Sequence, residues 1–493
     1  MDGFAAVDFE FARQVLQRGI AALYVVAFLS SLNQFRPLLG ERGLLPAPDL
    51  LAWARRSPRT RRMLRPTLFR YARYSDRRLA ALCWAGLIVA ASLVCGIPQL
   101  LSPWTPMACF LLLWLGYMSI VSLGQTFYGF GWEMLLLEAG FLAAFLGSNA
   151  EPPPTVVIVL FWWLLFRLEF GAGMIKIRGG HEWRDLTALM YHHETQPMPG
   201  PLSRQAHLLP RWFHKGEVLG NHFAQLVVPW FLFAPLLGLV APGPWPAIVG
   251  AVAAVIVIAT QLWLIVTGNF AWLNWATVVI AFSAIGIPGI GSPVSDPPSD
   301  PPWLLDGMPL PWVVVTSAVG ALYLVLSWAP LRNLFARRQL MNASFNRWQL
   351  ANAYGAFGTV TKQRIEIVVE GTADEDPDAG SWREYAFKGK PGDLRRIPGQ
   401  VAPYHLRLDW LMWFLPLGRS LDDWFTVFLI RLLQADAPTL RLLAHDPFGG
   451  DRPRWVRAVS YRYRFTTRAE FRRSRQRWAR EPRGVVLGPL SLR

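Results

Sequence analysis

Three ionisable residues lie inside or at the end of a long apolar run, FWWLLFRLEFGAGMIK, at residues 161–176. Arg167, Glu169 and Lys176 would each cost about 2.5 kcal/mol or more in a membrane helix unless they are paired or face a cavity. Glu169 and Lys176 are seven residues apart, so they share one face of a helix. The spacing therefore predicts an inward-facing polar site whose side chains could transfer protons.

A polar segment follows closely after this run, HEWRDLTALMYHHETQPMP at residues 181–199. It could supply a general base, a cation clamp or a recognition surface. It could equally be an amphipathic interfacial helix, with Trp183 and Tyr191 at the depth of the lipid headgroups. The candidate catalytic residues are Glu169, Lys176, His192 and His193. The candidate ligand-binding or client-binding residues are Arg167, Glu169, Lys176, His181, Trp183, Arg184, Asp185, Tyr191, His192 and Glu194.

The sequence lacks the familiar motifs of nucleophilic, nucleotide and metal chemistry. It holds no GxSxG, HExxH, CxxC, Walker A or GxGxxG motif. His192 and His193 would point about 100° apart on a helix, and they would need a third ligand such as His181 to hold one ion. We therefore predict no metal site and no cofactor. The sequence leaves catalysis undecided and favours a protein that is not an enzyme.

Two further carboxylates, Glu133 and Glu138, lie in the apolar run at residues 132–146. Because they are five residues apart, they face directions about 140° different on a helix and do not form a dyad. We predict that Glu138 is the partner of Arg167. Such a pair could be a structural contact that fixes the helix register, or part of a proton relay.

The elements that must position these residues are membrane helices. Of the 493 residues, 53% are hydrophobic and only 17% are charged, with 24 Trp and 30 Phe. Long uncharged runs in such a composition are typical of a polytopic α-helical membrane protein. About nine spans are predicted, near residues 18–33, 79–97, 107–123, 132–146, 155–173, 221–240, 245–266, 269–287 and 311–328. They form a transmembrane domain over residues 1–340, with a polar interfacial segment at residues 174–220.

Residues 341–493 alternate strand-like runs with turn signals, which predicts a basic α+β domain outside the membrane, mostly antiparallel with helical insertions. Strands are predicted at residues 362–371, 382–390 and 454–466, and the first two form a hairpin. Amphipathic helices are predicted at residues 407–417 and 422–435. The basic tail at residues 468–483 is predicted to be a helix suited to a headgroup surface.

The net charge of +16 is unevenly distributed among the loops. Ten arginines lie between Arg55 and Arg78, whereas the loops at residues 98–106, 148–154, 241–244 and 288–311 contain no Lys or Arg. By the positive-inside rule, this bias places the arginine-rich loops and the C-terminal domain in the cytoplasm. It favours membrane lipids as partners over nucleic acid. The proline-rich link SPVSDPPSDPPW is expected on the far side as an extended segment.

Several long motifs resemble one protein family. They are YVVAFLSSLNQFRPLLGERGLLP, FRLEFGAGMIKIRGGHEWRDLTALMYHHETQPMPGPLS, NAYGAFGTVTKQRIEIVVEGT, WREYAFKGKPGD, VAPYHLRLDWLMWF and RWVRAVSYRYRFT. In these motifs, which are spread over most of its length, the chain resembles the lipase maturation factor family. The helix count and the GERGLLP segment also give a more distant likeness to the membrane domain of vitamin K-dependent carboxylases, at the level of the fold alone.

The resemblance implies a multi-pass membrane protein. In eukaryotic members it implies residence in the endoplasmic reticulum membrane and assistance to the folding and dimer assembly of secreted lipases. It also implies that the C-terminal domain lies on the lumenal side, whereas the positive-inside rule places it in the cytoplasm. The resemblance and the charge rule agree that this domain and the first arginine-rich loop lie on the same side of the membrane. The Arg-, Ala- and Pro-rich composition indicates a bacterial source, and hence the inner membrane.

Two functions follow as hypotheses. The first is a membrane-embedded folding or assembly factor of the lipase maturation type. In it, residues 181–199 and the C-terminal β domain form a face for a secreted or membrane-associated client such as a lipase. The second is an integral membrane enzyme, or a lipid- or quinone-binding protein, that uses Glu169, Lys176, His192 or His193 in a cavity between spans. A third possibility is a structural subunit whose buried charges only fix helix pairing.

Overall fold

The computed structural model describes residues 3–287, 304–418 and 420–492. The predicted proline-rich link lies outside these ranges. Before the gap the helices are α1 (Glu10–Leu39), α2 (Ala47–Arg55), α3 (Pro58–Met63), α4 (Asp76–Val94), α5 (Trp104–Leu123), α6 (Gly131–Ala143), α7 (Thr155–Arg178), α8 (His181–Arg184), α9 (Leu189–Thr195), α10 (Ser203–His207), α11 (Arg211–Leu226), α12 (Trp245–Thr267) and α13 (Leu273–Ala281). After it come α14 (Leu310–Leu326), α15 (Trp328–Phe335), α16 (Arg407–Phe414), α17 (Asp423–Leu433), α18 (Ala437–Leu440) and α19 (Arg468–Ser474).

The protein is a polytopic helical membrane protein. Within the described ranges, seven helical segments are long and apolar enough to cross a bilayer. They are Val7–Leu39, Asp76–Val94, Trp104–Leu123, Thr155–Arg178, Arg211–Leu239, Trp245–Thr267 and Leu310–Phe335. The helix α7 lies at the centre of this bundle, with 83% of its apolar window buried inside the protein. An interior helix of this kind can carry charged residues, because its side chains face protein and not lipid.

The predicted count of nine spans is not confirmed. The run at residues 132–146 forms α6, which has 13 residues and is buried on nearly every side. At 1.5 Å per residue, such a helix covers about 20 Å, which is less than the roughly 30 Å of a hydrocarbon core. The run at residues 269–287 likewise forms only a short apolar helix, Leu273–Ala284. Apolar runs that pack inside a bundle have the same composition as spans, which explains the excess.

The arginine-rich first loop and the C-terminal domain lie on the same side of the bundle, as both orientation arguments require. Arg347 donates a hydrogen bond to the Leu64 carbonyl (3.1 Å), and Arg431 donates one to the Arg42 carbonyl (2.9 Å). At the opposite end, the N–H of Phe4 donates to the Asp306 carboxylate (3.0 Å). The contacts fix the relative sides, and the absolute orientation stays a prediction.

The C-terminal domain contains a four-stranded antiparallel sheet, in the order β4-β3-β5-β6. Its strands are β3 (Arg364–Thr372), β4 (Arg383–Glu384), β5 (Trp455–Phe465) and β6 (Trp478–Leu490). A two-stranded ribbon, β1 (Leu304–Leu305) with β2 (Met308–Pro309), precedes α14. The predicted mostly antiparallel domain is thus confirmed, although the predicted hairpin is short: only Glu370 and Gly371 of β3 pair with β4.

The prediction of one basic helix at residues 468–483 is wrong. The helix α19 ends at Ser474, the next residue Arg475 has a left-handed φ of 58°, and the chain then returns as β6. Trp478 is buried and stacks on Phe465, with ring centroids 4.0 Å apart. Pairing along β5 therefore determines the structure of a segment whose arginines alone favour a helix, because tertiary contacts override weak local propensity.

The helix α16 is buried on nearly all sides, whereas an amphipathic helix was expected there. Its first residue, Arg407, is fully buried and donates to Glu133 of α6 (2.6 Å) and to the Phe127 carbonyl (2.9 Å). The hydroxyl of Tyr117 also contacts Glu133. This ion pair fixes the C-terminal part against the bundle. The predicted domain boundary between residues 340 and 341 stays a prediction.

Candidate functional site

The structure brings Arg167 and Glu138 together as a buried ion pair. Glu138 also accepts from the N–H and the side-chain amide of Asn352 (3.0 and 2.9 Å) and from the Tyr354 hydroxyl (2.8 Å). Arg167 in turn donates to the Asn352 carbonyl (2.6 Å). The two side chains are at most 1% exposed. The network thus ties the segment after α15 to α6 and α7 and leaves no room for a ligand between its members.

Glu169 and Lys176 form a second network on the next face of α7. Glu169 accepts from Gln225 of α11 (3.2 Å) and from Gln261 of α12 (2.7 Å). Lys176 donates to Asn221 (2.8 Å) and to the oxygen of Gln225 (2.9 Å). Gln225 therefore bridges the two charged residues, which share a helix face as their spacing predicted. Neutral amides supply most of the hydrogen bonds in this network.

Sequence analysis did not identify the three amides. Asn221, Gln225 and Gln261 belong to helices far from α7 in the chain. The signal that could have found them is the placement of polar amides inside apolar spans, where an unpaired amide is costly.

A cavity of about 890 Å³ opens beside this second network. Its described wall includes Glu169, Lys176, Trp183, His192 and His193, but neither Arg167 nor Glu138. The remainder of the wall is mainly apolar and aromatic, and it includes residues of α7, α9, α11, α12, α13 and α16 and of the segment at residues 354–361. A mostly apolar cavity with a few convergent polar groups is the usual form of a ligand-binding site.

His192 faces this cavity as a neutral side chain. It is buried, and its ring stacks parallel to Phe270 with the ring centroids 6.1 Å apart. Burial first, then the charges of His193 and Lys176, lowers the pKa of His192 to about 3. The imidazole is therefore uncharged near pH 7 and cannot supply the positive charge of a clamp there. Lys176 instead supplies the positive charge, and it lies over the ring of Trp183 (4.6 Å to the centroid).

The other predicted residues of the segment at residues 181–199 do not reach the cavity. His181, Arg184 and Asp185 are exposed to solvent. Glu194 is half-buried, and it accepts a hydrogen bond from the N–H of Phe465 (2.7 Å), the last residue of β5. Tyr191 is also half-buried and lies off the described cavity wall.

Arg364 of β3 joins this segment to the sheet. It is buried and contacts the carbonyl of Gln196, and it donates to those of Glu194 (2.9 Å) and Pro197 (3.1 Å). The segment and the β domain are thus packed against each other.

One side of the cavity contains a cluster that the sequence analysis missed. His193 lies within 3.2 Å of the Glu217 carboxylate, and His214 lies 3.3 Å from it. Trp263 donates to the same carboxylate (2.6 Å). His214 and Glu217 are three residues apart on α11, so they share a helix face, and this spacing is the signal that could have found them. His192 and His181, which the sequence analysis considered as companions of His193, are not part of this cluster.

Comparison with known proteins identifies the family. The model of the lipase maturation factor transmembrane domain matches residues 11–286, and that of the lipase maturation factor C-terminal domain matches residues 350–488. The chain belongs to the lipase maturation factor family. Lipase maturation factor 1 from Bos taurus is 38% identical to it over 99% of this chain and 90% of the relative. For the Homo sapiens protein of that name, the values are 38%, 98% and 88%.

Lipase maturation factor 2 from Homo sapiens is 29% identical, over 93% of this chain and 80% of the relative. No solved structure matches the chain. This member of the family is a membrane-embedded protein of the lipase maturation factor type, as its motifs predicted. The likeness to the membrane domain of vitamin K-dependent carboxylases stays a prediction.

Proposed function

We propose that this family member is a folding or assembly factor for a lipase-type client, and that an apolar or amphipathic segment of the client enters the cavity. The carrying observation is the cavity of about 890 Å³ beside Glu169 and Lys176 in a membrane-embedded chain. Its apolar wall fits a segment that is exposed only before folding is complete. Its polar end holds one carboxylate and one ammonium group, which can take up the backbone or a charged group of that segment.

The names of the relatives support the choice of client, since they describe lipase maturation factors of cattle and humans. The face formed by residues 181–199 and the β domain contributes the cavity wall through His192 and Trp183. Its exposed residues, His181, Arg184 and Asp185, lie outside the wall. We assign them the role of first contact with the client. We further propose that the chain works in a bacterial inner membrane.

A second candidate is a protein that binds a lipid or a quinone in the same cavity, and it could be an enzyme. The polar end of the cavity supports it, because buried ionisable groups in a membrane cavity are typical of proton-transfer and headgroup-binding sites. The two candidates differ in the occupant, which is a polypeptide in the first case and a small amphiphile in the second.

Photo-crosslinking distinguishes these candidates. A photoreactive amino acid replaces Leu264, which lies on the cavity wall, or Val255 of the same helix, which is exposed on the outside of the bundle. Irradiation in intact cells is followed by mass spectrometry of the adducts. We expect Leu264 adducts to contain a secreted hydrolase of the lipase class, and Val255 adducts to contain lipid alone.

Lipid or quinone adducts at both positions would contradict the client proposal. If they formed at Leu264 with one defined amphiphile, the second candidate would replace the first. The matched position Val255 controls for general reactivity toward the bilayer, because it lies on the same helix as Leu264.

A further inference from the structure

Three ligand-type side chains from α9 and α11 converge beside the cavity. The ligand atoms of His193, His214 and Glu217 all lie within 4.8 Å of one another. Glu217 Oε2 lies 3.3 Å from His193 Nε2 and 3.3 Å from His214 Nδ1. In a tetrahedral zinc site with bonds of 2.0–2.1 Å, neighbouring ligand atoms are about 3.4 Å apart. Two of the three edges therefore already have the length that a zinc site requires.

The hydrogen-bond partners of His214 place a lone pair opposite a carboxylate. His214 Nε2 lies 3.3 Å from the carbonyl oxygen of His207, which can only accept, so this nitrogen carries the proton. In neutral His214, the lone pair of Nδ1 then faces Glu217 Oε2, which is also an acceptor. A proton carried by one of the two atoms, or a bound cation, therefore has to lie between them.

Contacts around the cluster hold the ligands in orientation. The indole of Trp263 donates to Glu217 Oε1 (2.6 Å), and the His207 carbonyl accepts from His214. Outer contacts of this kind orient the ligands in metal sites. The side chains of His193 and His214 are 2% and 3% exposed, and that of Glu217 is 11% exposed. Little water therefore competes for the space between them.

We propose that His193, His214 and Glu217 bind a divalent transition-metal ion, with Zn²⁺ as the best match. Two imidazoles and one carboxylate suit Zn²⁺ better than Mg²⁺ or Ca²⁺, which prefer oxygen ligands. Three protein ligands leave a fourth position open, as in sites that bind an additional group. His193 and Glu217 lie on the cavity wall, so the open position faces the cavity. An oxygen atom of the occupant can fill it.

The site differs from the sequence-based prediction of no metal, which considered His192 and His181 as the other ligands of His193. In the structure, His192 stacks on Phe270, and the side chain of His181 is 62% exposed. The metal proposal concerns ion binding alone. It can therefore fail or succeed independently of the identity of the client.

The test is a zinc titration of the full chain, purified in lipid nanodiscs with an affinity tag that contains no histidine. The protein is stripped with a chelator and reloaded, and bound zinc is counted by elemental mass spectrometry. We expect one zinc per chain, and we expect Co²⁺ to give the visible absorption of a four-coordinate site. Glu217→Gln and His214→Gln should weaken zinc binding by on the order of 100-fold, and Trp263→Phe by about tenfold.

His222→Gln is the matched control, because His222 lies on α11 beyond Glu217 and its ring contacts the Trp183 carbonyl. This variant should bind zinc like the unmodified chain. A zinc content far below one ion per chain in the unmodified protein would overturn the proposal. So would a Glu217→Gln variant that binds zinc as tightly as the unmodified protein. Should a ligand variant fail to fold, the Co²⁺ spectrum of the unmodified chain still decides, since a spectrum of free hexaaqua Co²⁺ rules the site out.

Discussion

Arg167 and Glu169 lie two residues apart on the same buried helix, yet their surroundings differ. The carboxylate that pairs with Arg167 accepts hydrogen bonds from the backbone and side chain of Asn352 and from the hydroxyl of Tyr354. Glu169 is held by amides of two neighbouring helices, and it lies on the wall of a large cavity. Both side chains are buried inside the bundle and do not face lipid. Only Glu169 is accessible to an occupant of the cavity. We therefore assign a structural role to the network of Arg167 and a binding role to the network of Glu169.

The largest expected effect follows from breaking the enclosed network. Glu138→Gln leaves the buried Arg167 without a counter-charge, and such losses destabilise proteins by about 3–5 kcal/mol. We expect a strongly lowered unfolding temperature of the purified protein and a low yield in the membrane. Thermal unfolding in nanodiscs, followed by tryptophan fluorescence, measures the change.

The double variant Arg167→Met with Glu138→Gln is the control for this prediction. It removes both charges and keeps an acceptor for Asn352 and Tyr354, so we expect it to recover a large part of the stability. A Glu138→Gln variant as stable as the unmodified chain would show that the enclosed network is not structural.

An intermediate effect is expected at Glu169, and it should concern binding more than folding. Gln225 and Gln261 donate to different oxygens of Glu169, so in Glu169→Gln the single side-chain oxygen keeps only one of these two hydrogen bonds. We expect the free energy of unfolding to fall by about 1–3 kcal/mol, less than for Glu138→Gln. Client crosslinking at Leu264 should fall about tenfold, which corresponds to about 1.4 kcal/mol of binding.

The contrast between the two variants is the sharpest form of the comparison. If Glu169→Gln unfolded like Glu138→Gln while leaving crosslinking per folded molecule unchanged, the second network would also be structural. The cavity would then need another polar anchor.

Part of this site was predictable from the sequence, and the rest was not, for physical reasons. Charges in apolar runs predict buried pairs, so the contact of Arg167 with Glu138 and the shared face of Glu169 and Lys176 were accessible. The amides Gln225 and Gln261 were not, because the packing of α11 and α12 against α7 determines which polar group reaches Glu169.

The same reasoning explains the outcome for the fold. The alternation in β3 and β5 identified both strands, since their inward side chains form a core face. The tail at residues 468–483 was misassigned because the partner strand, and not local propensity, determines β6. The membrane class followed from composition, whereas the count of spans depends on how the short helices pack.

The smallest predicted effect concerns a third buried carboxylate, Asp409, which lies outside the membrane spans. Burial raises the pKa of Asp409 from 3.8 to about 6, although the N–H of Gly389 (2.6 Å) and the charge of Lys390 oppose the rise. The folded state therefore binds this proton more tightly than the unfolded state. The resulting stability is fully present below about pH 4, and it is lost as the pH rises through about 6.

The variant Asp409→Asn isolates this contribution. We expect its unfolding temperature, relative to that of the unmodified chain, to rise between about pH 4 and pH 7 and then to stay constant. Thermal unfolding over this range measures the difference. A difference that does not depend on pH would show that Asp409 keeps an ordinary carboxyl pKa.

The most direct test of the account is a cryo-electron microscopy structure of the protein in lipid nanodiscs, prepared from cells that supply its natural partners. The account predicts continuous density in the cavity, with a polar end at Glu169 and Lys176, and direct contact between Arg167 and Glu138 without additional density. A cavity closed by side chains, with Glu169 and Lys176 sealed away from any occupant, would contradict it.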